Sequence, residues 1–111
     1  MPGPDTPLTP LRYVERTVVS FPYRVAIVDG RRQITWAEVY RRTTRLANAI
    51  RNAGVGPGER VMCIASNSAE ALLTYFAVPL AGATIVATDS RLAPPEAAYI
   101  LVRSEARLVL V

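Results

Sequence analysis

The sequence predicts an α/β fold in which alternating strands and helices form part of a mostly parallel sheet. Three observations carry this. Short apolar runs at 24–28, 60–65, 84–88 and 107–111 alternate with longer stretches of helical periodicity. Turn formers separate them: Asp29-Gly30, the glycines from Gly54 to Gly58, and Gly82. The later strands are continuously apolar, as strands covered on both faces are, and strand–helix–strand order calls for right-handed crossovers.

The elements follow in order. Prolines at 2, 4 and 7 make residues 1–8 an extended Pro-rich tail. Thr9-Pro10 then reads as an N-cap with Pro in the first helical position, Leu11, Val14 and Val18 share one helical face, and Phe21-Pro22 closes the element. Residues 24–28 and 33–35 are strands joined by the Asp29-Gly30 hairpin signal.

Thr35-Trp36-Ala37-Glu38 is a capping box, a Thr hydroxyl for a free amide and a Glu three residues on to answer it. The helix it opens carries Trp36, Val39, Tyr40, Thr43, Leu46, Ala47 and Ile50 on one stripe. Glu38, Arg41, Arg42, Arg45 and Arg51 lie on the other, with Glu38 and Arg42 paired one turn apart. Gly54 is the C-terminal cap. After the strand at 60–65, Ser66, Asn67 and Ser68 offer caps for a helix over 69–81 that is polar only at Glu70 and Thr74. A helix apolar on nearly all sides is expected to be buried on nearly all sides, which asks for more protein around it than a small domain supplies. Gly82 ends it and 84–88 is the next strand. Pro94-Pro95-Glu96 opens a fourth helix to about Ser104, and 107–111 is a last strand. With no turn or polar tail after it, the sheet is expected to continue in a longer chain.

Composition excludes several chemistries. The 111 residues contain no His and a single Cys, and all 13 basic residues are Arg, so there is no Lys. No Ser-His-Asp or Cys-His nucleophile, zinc site, Walker-type lysine or Schiff base can be assembled from this set. The net charge is +4, but the Arg residues are spread along the chain among nine acidic ones, so no nucleic-acid partner is expected. Residues 71–88 are uncharged but interrupted by Pro79 and Gly82, so they read as a buried helix feeding a buried strand and no transmembrane segment is expected. No signal peptide is read at the start. The lone Cys63 suits a reducing compartment, and the expected location is cytoplasmic.

The glycines at 54–58 follow a helix and enter a strand, the reverse of a phosphate-binding loop, so they read as a cap and turn. Trp36 and Tyr40 are expected in the core, Cys63 as an inert buried thiol, and Ser66 and Ser68 as caps lacking any base. Open α/β sheets bind ligands beyond the carboxyl ends of their strands, which selects two loops. In the first, Ser66-Asn67-Ser68, helix N-terminal amides could face a ligand. In the second, residues 88–92, Arg91 is either a phosphate or carboxylate ligand or a brace to Asp89 or a backbone carbonyl.

Four stretches carry a resemblance: LTPLRYVERTVVSFPYRVAIVDG, QITWAEVYRRTTRLANAIRNAGVGPGERV, NSAEALLTYFAVPLAGATIVATDSRLAPPEAAYIL and SEARLVLV. With their T-W-A-E opening, G-V-G-P-G-E-R-V turn, P-L-A-G-A helix end and S-R-L loop, they resemble the N-terminal part of the adenylate-forming (AMP-binding) superfamily. That superfamily includes acyl-CoA synthetases, adenylation domains of peptide synthetases and luciferase-like enzymes. The opening is most similar to ligases of fatty or aryl acids. The resemblance implies that residues 9–111 are the N-terminal portion of the adenylate-forming large domain, an incomplete subdomain truncated in its sheet. It implies a parent acid–thiol ligase of fatty acid metabolism that activates a carboxylic acid with ATP and Mg2+ to an acyl-adenylate and passes the acyl group to coenzyme A. The rest of the synthetase chain would be the partner of this piece. The family's nucleotide loop and catalytic Lys lie further along, so no catalytic residue and no metal ligand maps here, and the 111 residues alone are expected to bind no cofactor and to be inactive. Ser90 and Arg91 map near bound coenzyme A. Ala93 departs from the family's Thr or Ser cap. The alternatives are an adenylation domain of a peptide synthetase and a small non-catalytic interaction module.

Overall fold

The computed structural model describes residues 10–111; the tail read at 1–8 and the Thr9 cap lie outside the described residues. Nine elements follow in the predicted order: α1 (Pro10–Ser20), β1 (Val25–Asp29), β2 (Arg32–Thr35), α2 (Trp36–Asn52), β3 (Arg60–Ile64), α3 (Ala69–Leu80), β4 (Thr84–Thr88), α4 (Pro94–Ser104) and β5 (Leu108–Leu110). β3, β4 and β5 form a parallel sheet in the order β4-β3-β5, while β1 and β2 form a separate antiparallel hairpin. From β3 the chain crosses to one neighbour, and from β4 it crosses back over β3 to the other side. Right-handed crossovers in opposite directions put α3 and α4 on opposite faces of the sheet.

The face toward α2 and α3 holds the larger core. Val61, the second residue of β3, is fully buried with Ile50 of α2 and Ala77 and Val78 of α3, and Ile85, Leu108 and Leu110 pack against this cluster. A second cluster joins the hairpin to the helices: Ile27 and Ile34 meet Val39, Ala69 and Leu73. The two clusters make the hairpin, α2, α3 and the sheet one packed unit.

The α2 cap forms in half: Thr35 Oγ1 accepts from the Glu38 amide at 3.3 Å. The Glu38 carboxylate does not turn back to complete the box. It takes hydrogen bonds from Arg41 Nε at 2.8 Å and Arg42 Nε at 2.7 Å, because two cations on its own helix outcompete one neutral amide. Val39, Thr43, Ala47 and Ile50 are buried as the stripe requires, but Trp36 is only half-buried and Tyr40 is exposed, a correction to the expected core. At the other end Gly54 adopts φ +93°, the left-handed turn expected of the cap.

α3 leaves apolar side chains open, the outcome expected of a nearly all-apolar helix in so small a domain. Ala69, Ala71, Leu73, Thr74, Ala77 and Val78 are buried, but Leu72 and Tyr75 on the outer flank are exposed. α4 has no buried residue, and Ala93 provides no side-chain cap. Among the described residues no helix is long and apolar enough to cross a membrane.

Candidate functional site: a cleft at the carboxyl ends of β3 and β4

The two loops selected from the sequence lie side by side. Thr88 is in register with Ile64, so both strands release their chains at the same edge. Ala65, Ser66 and Asn67 from one loop and Asp89 and Arg91 from the other line a cleft of about 380 Å³. Two bonds staple the loops where they begin: the Ala65 amide donates to Thr88 O at 3.2 Å, and Thr88 Oγ1 donates to Cys63 O at 3.0 Å.

On the first wall Ser66 and Asn67 are exposed. Ser68 does cap α3, its Oγ accepting from the Ala71 amide at 3.2 Å. The expectation of free helix amides at this end is corrected: besides Ala71, the Ala69 amide is taken, donating to Asp29 Oδ2 at 3.0 Å. Asp29 comes from the hairpin 40 residues upstream, a distance that local spacing cannot span.

The second wall is a tight turn built on Asp89. Its Oδ1 accepts from the Arg91 amide at 2.9 Å, and its carboxylate receives Arg91 Nε at 3.1 Å and Nη2 at 2.7 Å. Arg91 is therefore braced by Asp89, one of the two roles open from the sequence. The pair holds the Asp89 carboxyl below its ordinary range and raises the Arg91 guanidinium further, each because the partner hydrogen-bonds the charged form. The Arg91 side chain is still 88% exposed, so the cation remains on the surface of the cleft. Ser90, between the two, is exposed in the same turn.

These groups can hold a polar or anionic ligand from one side. They contain no nucleophile–base pair, because the chain has no His and neither Ser66 nor Ser90 has a base. Cys63, at the end of β3 beneath the cleft, is buried, and burial pushes its thiol up, away from the reactive thiolate. Among the described residues no cluster of three or more His, Cys, Asp or Glu is placed to hold a metal ion. The chain has no Lys, and its glycine run at 54–58 enters a strand and not a helix, so neither element of a Walker-type triphosphate loop lies on these residues. Sequence reasoning missed one group beside the cleft, Asp29 with Arg32 and Glu70. Its only trace in the sequence is Asp29-Gly30, which signals a turn and nothing else.

Comparison with known proteins gives the following. The family described as AMP-binding enzyme matches residues 14–111. The peroxisomal acetate/butyrate–CoA ligase of Arabidopsis thaliana is 35% identical over 111 residues, which is 100% of this chain and 20% of that protein. A benzoate CoA ligase from Burkholderia xenovorans superposes with a TM-score of 0.84 at 27% identity, covering 89% of this chain and 20% of that one. An artificially fused adenylation–PCP di-domain of a Klebsiella oxytoca peptide synthetase superposes with a TM-score of 0.83 at 24% identity, covering 89% and 19%, a likeness of fold. The chain thus spans about a fifth of the length of the curated relatives it matches.

Proposed function

The chain belongs to the AMP-binding enzyme family, and from that premise we propose that it is the N-terminal portion of an acyl-CoA synthetase. The whole enzyme activates a carboxylic acid with ATP and Mg2+ to an acyl-adenylate, with release of pyrophosphate, and transfers the acyl group to coenzyme A. Residues 9–111 would supply the parallel strands and one wall of the ligand cleft, and the remaining chain would supply the nucleotide loop and its Lys. The observation that carries this reading is the 35% identity to an acetate/butyrate–CoA ligase across the whole chain.

Within that reading, Ser90 and Arg91 stand near coenzyme A. What supports the assignment is an exposed guanidinium on a turn made rigid by Asp89, beside exposed Ser66 and Asn67, at the end of the sheet where α/β proteins take ligands. A charged fork of this kind suits a phosphate of the coenzyme. The chain alone carries no adenylation chemistry, for want of any Lys. The proposed setting is the cytoplasm and fatty acid metabolism. The Arabidopsis relative is named peroxisomal, and localisation of a tagged full-length product separates the two compartments.

The test has two stages. Coding sequence beyond Val111 is expected to encode, within roughly the next hundred residues, a Ser/Thr/Gly-rich loop followed by Lys, where backbone amides and an ammonium can hold the triphosphate. The full-length product is then expected to catalyse acid-dependent ATP–pyrophosphate exchange and to form a coenzyme A thioester. Exchange that delivers the acyl group to a carrier protein instead would make it a peptide-synthetase adenylation domain, the fold shared with the Klebsiella di-domain. No such loop in any frame, with a cooperatively folding chain of 111 residues, would make it a small interaction module.

A further inference from the structure

One side of the cleft is held by residues far from it in sequence. We propose that the β1–β2 hairpin is a clasp on the cleft, in which Asp29 and Arg32 are positioning residues that hold the start of α3 and, through it, Ser66 and Asn67. The clasp's role in ligand binding rests on the reading of the cleft as a coenzyme A site.

The wall at residues 65–68 is tied at both ends. Upstream, the Ala65 amide is bonded to Thr88 O on β4 at 3.2 Å. Downstream, the Ala69 amide is bonded to Asp29 Oδ2 at 3.0 Å. Asp29 ends β1 and is in register with Arg32, which begins β2. Arg32 bridges the junction: Nη2 donates to Asp29 Oδ2 and also to Glu70 Oε2 at 3.0 Å, while Nη1 donates to Glu70 Oε1 at 2.6 Å. One guanidinium therefore joins the hairpin to the first turn of α3. Beneath it, Ile27 and Ile34 pack with Ala69 and Leu73, so the hairpin is seated as well as bonded. A carboxylate at a helix N-terminus is favourably placed against the helix dipole, and Asp29 supplies one that the local cap Ser68 does not. Consistently, the Asp29 carboxyl lies below its ordinary range, chiefly through the Ala69 amide and then through Arg32.

Were the Asp29–Ala69 bond removed, the downstream end of the wall would keep only the Ser68 cap and the packing of Ala69. The experiment reads amide resonances of the isotope-labelled chain in Asp29→Ala, Asp29→Asn, Arg32→Gln and, as a control, Glu38→Gln, and coenzyme A affinity in the same variants of the full-length product. In Asp29→Ala, the resonances of residues 66–69 should move and the Ala69 amide should exchange about tenfold faster, the effect of losing one charge-assisted bond. Coenzyme A should bind several-fold more weakly. Asp29→Asn, which keeps an acceptor oxygen, should restore most of the Ala69 protection. Glu38→Gln removes ion pairs on α2 and should leave 66–69 where they are. If Asp29→Ala does not fold, Asp29→Asn and Arg32→Gln decide on the same resonances. Unmoved resonances at 66–69, or equal movement in Glu38→Gln, overturn the clasp. If the full-length product binds no coenzyme A while Asp29→Ala still moves 66–69 in the chain, the clasp stands and the cleft reading fails. If coenzyme A binds and every hairpin variant binds it equally well, the cleft reading stands and the clasp fails.

Discussion

The two faces of the parallel sheet are covered by helices of similar local quality and very different burial. On one face, Ile50 of α2 and Ala77 and Val78 of α3 close over Val61. On the other, α4 buries none of its residues, and Tyr99 and Val102 are 64% and 74% exposed. Both layers begin as sound helices: α4 has prolines at its start, Glu96 in its first turn and Arg103 in its last. The difference lies in how many neighbours each helix has. α2 and α3 pack on each other, on the sheet and on the hairpin, whereas α4, among the described residues, has no helix packed closely beside it. Helix formation is local; burial depends on what else shares the layer.

The sharpest way to break this comparison is to truncate one side chain in each layer. Ile50→Ala should cost roughly 2–5 kcal/mol, because the cavity opens where α2, α3 and β3 meet. Val102→Ala should stay within about 0.5 kcal/mol. Urea denaturation measures both, and equal costs would erase the distinction between the faces. A smaller change in the opposite direction is expected at Thr43, whose buried hydroxyl has no hydrogen-bond partner among the described residues. Thr43→Val should stabilise the chain by about 1 kcal/mol, since it removes an uncompensated polar group at nearly constant volume. Loss of stability there would mean that the hydroxyl is satisfied in solution.

The caps sharpen the same contrast. Ser68→Ala should cost α3 about 1 kcal/mol, whereas Ala93→Ser should gain α4 about 0.5 kcal/mol by supplying the acceptor that it lacks. Amide exchange in the first turns of the two helices reads both effects. The smallest effect is in acid. Arg41 and then Arg42 hold the Glu38 carboxyl down to about 2 from its ordinary 4.5, and Arg32 does the same for Glu70. A carboxyl that binds its proton less readily when folded stabilises the fold above the unfolded value. That contribution should therefore be complete above pH 4.5 and fade as the pH falls toward about 2. These pairs are exposed, so the drop should be shallow and weakened by salt. Glu38→Gln should flatten it in the denaturation midpoints, and an unchanged slope would remove Glu38 from the account.

Much of the fold could be read from the chain because its signals are local. The Thr35 and Ser68 caps, the glycine turns at 30, 54 and 82 and the apolar runs of β3 and β4 act over a few residues, and each produced the expected element. The two loops could be placed side by side because neighbouring parallel strands release their chains at the same end, and strand direction follows from element order. Tertiary structure decided what depends on neighbours distant in sequence. Tyr40 lies on the apolar stripe of α2, yet it is exposed because none of the described elements covers it. Leu72 and Tyr75 remain open although nearly all of α3 is apolar, because periodicity reports which side chains can be buried and not which ones meet a partner. Asp29 caps a helix 40 residues away, a bond that exists only once the hairpin has packed its Ile27 and Ile34 under that helix. Which elements form and where the chain turns can be read locally, since a few adjacent residues settle each; the burial of their faces and the closing of the cleft wall required the packed whole, since those contacts join residues that no local pattern connects.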